Sequence, residues 1–78
     1  MKFTYQAKEM KKLRESLQLS QREFADGISY HAQFVSNIER SISGVSKEML
    51  ARLAQKGYKT ESIRQAMVKD FAECVKNI

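Results

Sequence analysis

The sequence predicts an all-α fold, a compact bundle of about five short helices. Apolar residues recur at steps of three and four along most of the chain, which is the spacing of one face of a helix. The 78 residues include no Pro and only three Gly, so few positions interrupt a helix. A chain of this length has room for one small core, and we expect residues 1–78 to form a single domain.

Helix 1 is expected from Tyr5 to Leu17. Thr4 has the side chain of a good N-cap, because its hydroxyl can accept a backbone N–H of the first turn. The apolar positions at helical spacing are Ala7, Met10, Leu13 and Leu17. The outer face carries basic residues that are expected to be solvated, namely Lys8, Lys11 and Lys12.

Helix 2 begins at a capping box, residues 20–23, with the sequence SQRE. In this motif the Ser hydroxyl and the Glu carboxylate each accept a backbone N–H at the helix start. The expected buried residues are Phe24, Ala25 and Ile28. Gly27 and Ser29 disfavour a longer helix.

Helix 3 is expected to begin near His31 or Ala32 and to bury Val35 and Ile38. Two short helices joined by about three residues are typical of a helix-turn-helix. Residues 41–45 then predict a loop.

Helix 4 is predicted to begin after Ser46, a good N-cap, and to end before Gly57. Its expected buried residues are Met49, Leu50, Leu53 and Ala54. Thr60 is the expected cap of helix 5. One face of helix 5 carries Ile63, Met67, Phe71, Cys74 and Ile78, with Ala66 and Val75 at its margins.

The charge balance favours a polyanionic partner, because the formal net charge is +5 and the pI is about 9.6. Nucleic acid is the first expectation.

Cys74 is the single cysteine, and no Cys/His group or catalytic constellation stands out, so we expect no metal, no cofactor and no enzymatic activity. With no apolar leader and no apolar run of about 20 residues, we expect a cytoplasmic protein without membrane association. No small-molecule ligand is expected.

The outward face of helix 3 is uncharged and rich in hydrogen-bonding groups. Amide side chains donate and accept together, as adenine edges in the major groove require, and small neighbours let a helix approach closely. We therefore expect base contacts from Ala32, Gln33, Ser36 and Asn37. Phe34 either touches a thymine methyl group or covers the edge of the core, and the core position is favoured.

The motif LSQREFA, followed by a helix that ends in IER, resembles the helix-turn-helix domain of the lambda-repressor-like (XRE) family. The resemblance covers residues 8–56 and has no gap through residues 14–40. Members usually have a Leu before the cap, a Ser or Asn cap, Gln at the first position of helix 2 and Ala at its fifth. The matching residues here are Leu19, Ser20, Gln21 and Ala25.

The resemblance implies further roles. Many members pair an Arg in helix 1 with a Glu near the end of helix 3, where Arg14 and Glu39 stand, and Gln21 is implied to contact backbone phosphate. Ser29 replaces the usual turn Gly, which predicts either a strained Ser backbone or a slightly different path of the turn. Ser41 also departs from the usual Gly, and the following loop lacks the usual Pro, so its shape is expected to differ.

Residues around the outward face of helix 3 are expected to hold DNA phosphates, which fix register without reading sequence. Besides Gln21, these are Arg22, Tyr30, His31, Arg40 and Lys47.

Proteins of this fold usually bind as dimers, which present two recognition helices to successive major grooves. We expect helix 5, residues 60–78, to dimerise, with Ile63 and Met67 turned inward. The expected dimer residues are Phe71, Cys74, Val75 and Ile78.

The sequence thus predicts a sequence-specific transcriptional regulator that binds double-stranded DNA. A small phage- or mobile-element-type repressor that binds a palindromic operator as a homodimer is favoured. Two alternatives stay open: an antitoxin or adaptor that uses the same fold to cover another protein, and a basic RNA-binding domain. Few aromatic residues are free to stack on unpaired bases, which counts against the second alternative.

Overall fold

A computed structural model describes residues 2–76, apart from the side chains of Cys74 and Lys76. This part of the chain contains five α-helices. They are α1 (Thr4–Ser16), α2 (Gln21–Gly27), α3 (Ala32–Glu39), α4 (Lys47–Gln55) and α5 (Glu61–Lys76), and residues 2–76 contain no strand. Helix α1 packs against α3 and α5, and α2 packs against α3. These helices confirm the all-α fold class and the helix-turn-helix. Within the same residues, no helix is both long and apolar enough to cross a bilayer.

All five helices contribute to one hydrophobic core. Its buried members are Met10, Phe24, Ala25, Ile28, Val35, Ile38, Val45, Met49, Leu53 and Ile63. Ala25 is fully buried in the middle of α2, where a small side chain allows close helix packing. Phe24 stacks on Tyr58 with ring centroids 5.9 Å apart. Val45 belongs to the loop after α3 and was not predicted as a core residue.

The N-terminus of α1 is capped by a carboxylate from α5. The helix begins at Thr4, one residue earlier than predicted, so Thr4 lies inside it and not at the N-cap. Asp70, only 4% exposed, accepts the backbone N–H groups of Tyr5 at 3.1 Å and Gln6 at 2.9 Å. A negative group thereby satisfies two first-turn donors at the positive end of the helix. The helix ends at Ser16, one residue before the predicted end.

Three connections use a left-handed backbone at a residue other than glycine. These residues are Gln18, Ser29 and Ser41, with φ angles of 58°, 60° and 63°. Ser29 lies in the turn between α2 and α3, and of the two alternatives predicted there it adopts the strained backbone. A left-handed conformation at a residue with a Cβ atom costs about 1–2 kcal/mol, so the surrounding structure must hold this turn.

The loop between α3 and α4 is fastened to α1. The buried side chain of Gln6 accepts the backbone N–H of Val45 through Oε1 at 2.7 Å. Gly44 lies so close to α1 that a Cβ atom would come within 2.8 Å of a Phe3 ring atom and 3.1 Å of Gln6 Oε1. The loop therefore needs a glycine at position 44 for steric reasons.

Helix α4 begins and ends as predicted, since the Ser46 hydroxyl accepts the N–H of Met49 at 3.1 Å and Gly57 follows the helix with a φ of 82°. Met49 and Leu53 are buried. Ala54 was predicted to be buried but is exposed. It lies about 100° around the helix from Leu53, beyond the face that meets the core.

The buried face of α5 differs from the predicted stripe. Ile63 is buried and Met67 half-buried, as predicted, but the next inward residue is Asp70. Phe71 is 71% exposed. Steps of four residues advance about 40° beyond a full turn, so a stripe through residues 63, 67 and 71 drifts off the buried face. Ala66, placed at the margin by the sequence, is buried.

Candidate nucleic-acid interface

A hydrogen-bonded ion pair joins α1 to the end of α3. Arg14 donates through Nε to Glu39 Oε2 at 2.7 Å and through Nη2 to Oε1 at 3.1 Å. Its Nη1 donates to the carbonyl of Leu19 at 2.8 Å. Gln21, the first residue of α2, donates to Glu39 Oε1 at 3.4 Å. The network fixes α3 relative to α1 and α2.

This ion pair is largely shielded from solvent. The side chains of Arg14 and Glu39 are 16% and 5% exposed. The hydrogen bond to Glu39 raises the pKa of Arg14, and this effect exceeds the opposing effect of desolvation. The guanidinium therefore stays charged over the whole pH range in which proteins are folded.

Arg52 of α4 holds the turn between α2 and α3. Its Nη1 donates to the carbonyls of Ile28 at 3.2 Å and Ser29 at 3.0 Å, and its Nη2 pairs with Glu48 at 2.8 Å. The guanidinium also lies 4.8 Å from the centroid of the Tyr30 ring, in cation–π geometry. The sequence assigned Arg52 no role in the turn, because the two carbonyls that it bonds are 24 and 23 residues away and no local pattern marks them.

The exposed face of α3 carries two amide side chains that bond to each other. Gln33 donates through Nε2 to Asn37 Oδ1 at 2.9 Å. This bond uses one N–H of Gln33 and one lone pair of the Asn37 oxygen. The other amide N–H groups and oxygen lone pairs of the two side chains remain available for DNA bases. Gln33 and Arg40 are exposed, whereas Ser36 and Asn37 are half-buried. Ala32 was predicted to face outward but is half-buried against the core, because it lies three residues before a core position.

Phe34 is exposed, whereas the core edge was its favoured position in the sequence. Its exposed fraction is 50%, because Val35 and Ile38 occupy the inward face and Phe34 is turned about 100° from Val35. Its ring meets Tyr30 edge to face at 5.6 Å and stacks on His31 at 6.3 Å. Tyr30 in turn packs against the core. An aromatic ring held by two neighbours thus borders the amide pair.

The predicted phosphate-contact residues lie at several helix ends. Gln21 is half-buried at the start of α2, and exposed Arg22 follows it. Tyr30, half-buried, and His31, exposed, stand at the start of α3. Arg40 is exposed immediately after α3, and Lys47 is exposed at the first position of α4.

Helix α5 carries an exposed apolar stripe on one side. The stripe consists of Val68, Phe71 and Val75, whose spacing of three and four places them together. A groove beside it is lined by Leu50 and Met67. The stripe contains two of the predicted dimer residues, whereas the Cys74 side chain and Ile78 lie outside the described residues.

The surface around α3 is built from amide, hydroxyl, aromatic and basic side chains. Among the residues described, no group of three or more His, Cys, Asp or Glu side chains is placed to hold a metal ion. A polar second helix with basic residues near its ends is the arrangement of helix-turn-helix DNA-binding domains.

Comparison with known families agrees with this class. Residues 10–56, more than half of the chain, match the family described as helix-turn-helix. The chain belongs to this family, of the lambda-repressor-like (XRE) type, and is a DNA-binding helix-turn-helix regulator. The matched range runs from within α1 to just after α4 and includes all of α3. No curated protein and no solved structure matched the chain.

Proposed function

We propose that the protein is a sequence-specific transcriptional regulator whose α3 reads base edges in the major groove. The hydrogen bond on α3 between exposed Gln33 and half-buried Asn37 is the observation that carries this proposal. Amide groups suit the N6 donor and N7 acceptor of adenine. The residues proposed to face the bases are Ala32, Gln33, Ser36 and Asn37. Ala32, although half-buried, contributes a small side chain that lets the helix approach closely.

Phosphate contacts position α3 in this proposal. The residues proposed to make them are Gln21, Arg22, Tyr30, His31, Arg40 and Lys47. Gln21 has a second amide N–H besides the one directed at Glu39. Each basic side chain that neutralises a phosphate releases a condensed counterion, so binding is expected to weaken steeply with salt.

The proposal includes a homodimer that binds a palindromic operator. The exposed stripe of Val68, Phe71 and Val75 supports it, because contiguous exposed apolar side chains mark surfaces that associate. A twofold axis would place two copies of α3 in half-sites about 34 Å apart. Cys74 and Ile78, named from the sequence, belong to the same proposed surface.

We further propose that the dimer represses transcription by occupying its operator, as small phage- or mobile-element-type repressors do. Occupying DNA needs no cofactor, no small-molecule ligand and no catalytic group. The proposed place of action is the bacterial cytoplasm, where the DNA lies.

A second candidate function is an antitoxin or adaptor that covers another protein. The same exposed stripe on α5 supports this alternative, because a foreign chain could bury Phe71 as well as a second copy does. In that case Gln33 and Asn37 are dispensable for the main activity.

Selection of bound duplexes from a random DNA pool tests the proposed function. It compares the wild type, Gln33→Ala and the control Gln65→Ala, which changes an exposed residue of α5. The expected wild-type result is a palindromic consensus that relaxes at particular bases only with Gln33→Ala. Salt-sensitive binding without a consensus would contradict sequence-specific readout.

Sedimentation at several protein concentrations tests the dimer. Phe71→Glu places a charge in the apolar stripe, and Gln65→Glu places the same charge on α5 about 120° around the helix from Phe71. We expect a dimer for the wild type and Gln65→Glu and a folded monomer for Phe71→Glu. A monomeric wild type, or an intact Phe71→Glu dimer, would remove α5 from the proposed interface.

A further inference from the structure

We infer that Phe34 recognises the 5-methyl group of a thymine in the operator, an inference that rests on the proposed function. Phe34 follows Gln33 directly on α3 and lies about 60° around the helix from Asn37. Its ring is half exposed. A surface that approaches bases through Gln33 and Asn37 therefore brings this ring to the same groove.

The ring is held in place before any DNA arrives. Tyr30 meets it edge to face and His31 stacks on it. Tyr30 is fixed in turn by the guanidinium of Arg52, which is itself bonded to the carbonyl of Ser29. A side chain that is already ordered loses little conformational freedom on binding, so its contact contributes fully to affinity.

The chemistry of the major groove selects the target of this ring. A phenyl ring offers no hydrogen bond to phosphates or to the polar base edges. The 5-methyl group of thymine is the apolar feature that standard bases present in the major groove, and Phe is among the residues that contact it. If Gln33 and Asn37 read adenine, a thymine lies opposite every base they recognise.

Replacing single thymines by deoxyuridine tests the inference, since this change removes only the methyl group. Binding of each substituted operator, taken from the selection, is measured by fluorescence anisotropy with wild type, Phe34→Ala, Phe34→Leu and the control Gln65→Ala. Wild type and Gln65→Ala are expected to bind about fourfold more weakly at one thymine per half-site, the effect of one buried methyl group. Phe34→Ala should bind the thymine and deoxyuridine operators equally well at that position. Phe34→Leu should retain part of the preference for thymine.

Both substitutions are expected to keep the fold, because Phe34 lies outside the core, and circular dichroism checks this. If no thymine is sensitive in the wild type, or if Phe34→Ala keeps the full sensitivity, the inference is overturned. These outcomes are distinct from failure of the proposed function, in which the wild type selects no consensus at all.

Discussion

Gln6 of α1 and Asp70 of α5 are joined by a buried hydrogen bond, in which the Gln6 backbone N–H donates to Asp70 Oδ2 at 2.9 Å. The side chain of the same Gln6 accepts the N–H of Val45, in the loop that follows α3. One residue of α1 thus connects α5 to the loop that follows α3. Although α5 lies outside the range that matches the family, it packs against α1 and contributes Ile63 to the hydrophobic core.

Removal of the Asp70 carboxylate should destabilise the whole domain. Asp70→Ala leaves two first-turn N–H groups of α1 without their acceptor, and we expect a loss of about 2 kcal/mol. For a domain of this size that corresponds to a melting temperature lower by about 10 °C. Thermal melts check this, with the exposed α5 residue in Glu73→Ala as control. Equal melting temperatures for Asp70→Ala and Glu73→Ala would show that the cap contributes little.

Arg14→Ala should lower the free energy of unfolding by more than the loss of an exposed ion pair does. The substitution leaves the carboxylate of Glu39 without its cationic partner. Because the Glu39 side chain is almost completely buried, we expect a destabilisation of about 3 kcal/mol. Lys12→Ala removes the exposed pair with Glu9, separated by 3.7 Å, and should cost less than about 0.5 kcal/mol. Urea unfolding of both variants compares them directly. A similar midpoint for the two would argue against the network as the element that fixes α3.

Gly44→Ala and Gly27→Ala should change stability in opposite directions. At position 44 the new methyl group meets Phe3 and Gln6 at 3.1 Å or less, and we expect a loss of about 1–3 kcal/mol. At position 27 the nearest atom is the Tyr58 hydroxyl at 3.9 Å, so Ala fits and its better helix propensity should stabilise α2 by about 0.5 kcal/mol. Chemical denaturation measures both. If Gly27→Ala is destabilised and Gly44→Ala is as stable as the wild type, the predicted steric conflict at position 44 and free space at position 27 are both contradicted.

The capping box of α2 should make stability depend on pH in the acidic range. Hydrogen bonds from the backbone N–H and then the hydroxyl of Ser20 lower the pKa of Glu23 below its usual value of about 4.3. A lowered folded-state pKa means that the stabilisation is complete above the usual value and is lost as the pH falls through the folded-state value.

Glu23→Gln isolates this effect, because Gln keeps the capping geometry without the charge. We expect the wild type to be the more stable protein at pH 7 and the two to converge as the pH falls through the lowered pKa of Glu23, measured by urea midpoints at a series of acidic pH values. Glu73→Gln, which makes the same substitution at an exposed position of α5, is the matched control. A constant difference between wild type and Glu23→Gln at every pH would rule out the titration of Glu23 as its source.

Local signals in the sequence predicted the helices well, because caps and periodicity act within one or two turns. The Ser20 capping box, the Ser46 cap and the end of α4 before Gly57 all agree with the structure. The strained backbone of Ser29 is one of the two alternatives predicted for this turn, since a left-handed turn strains any residue with a Cβ atom.

Contacts between distant residues could not be predicted in this way. Asp70 is 64 and 65 residues from the amides that it caps, and in sequence it resembles any acidic residue on a solvated helix face. Arg52 holds the turn after α2 through carbonyls that carry no side-chain signature. Phe34 was placed at the core edge because periodicity does not separate an aromatic residue that flanks the core from one that faces a partner.

The affinity of the protein for two different duplexes shows whether α3 reads base edges, as proposed. Dissociation constants are measured at one salt concentration for the selected operator and a scrambled duplex, with wild type, Gln33→Ala and Lys47→Ala. For Gln33→Ala we expect at least about tenfold weaker binding to the operator and unchanged binding to the scrambled duplex, because a base contact contributes about 1–3 kcal/mol of discrimination. Lys47→Ala, as a phosphate contact, should weaken both to a similar degree. If Gln33→Ala leaves both constants unchanged, or weakens both equally, α3 does not read the operator through this side chain.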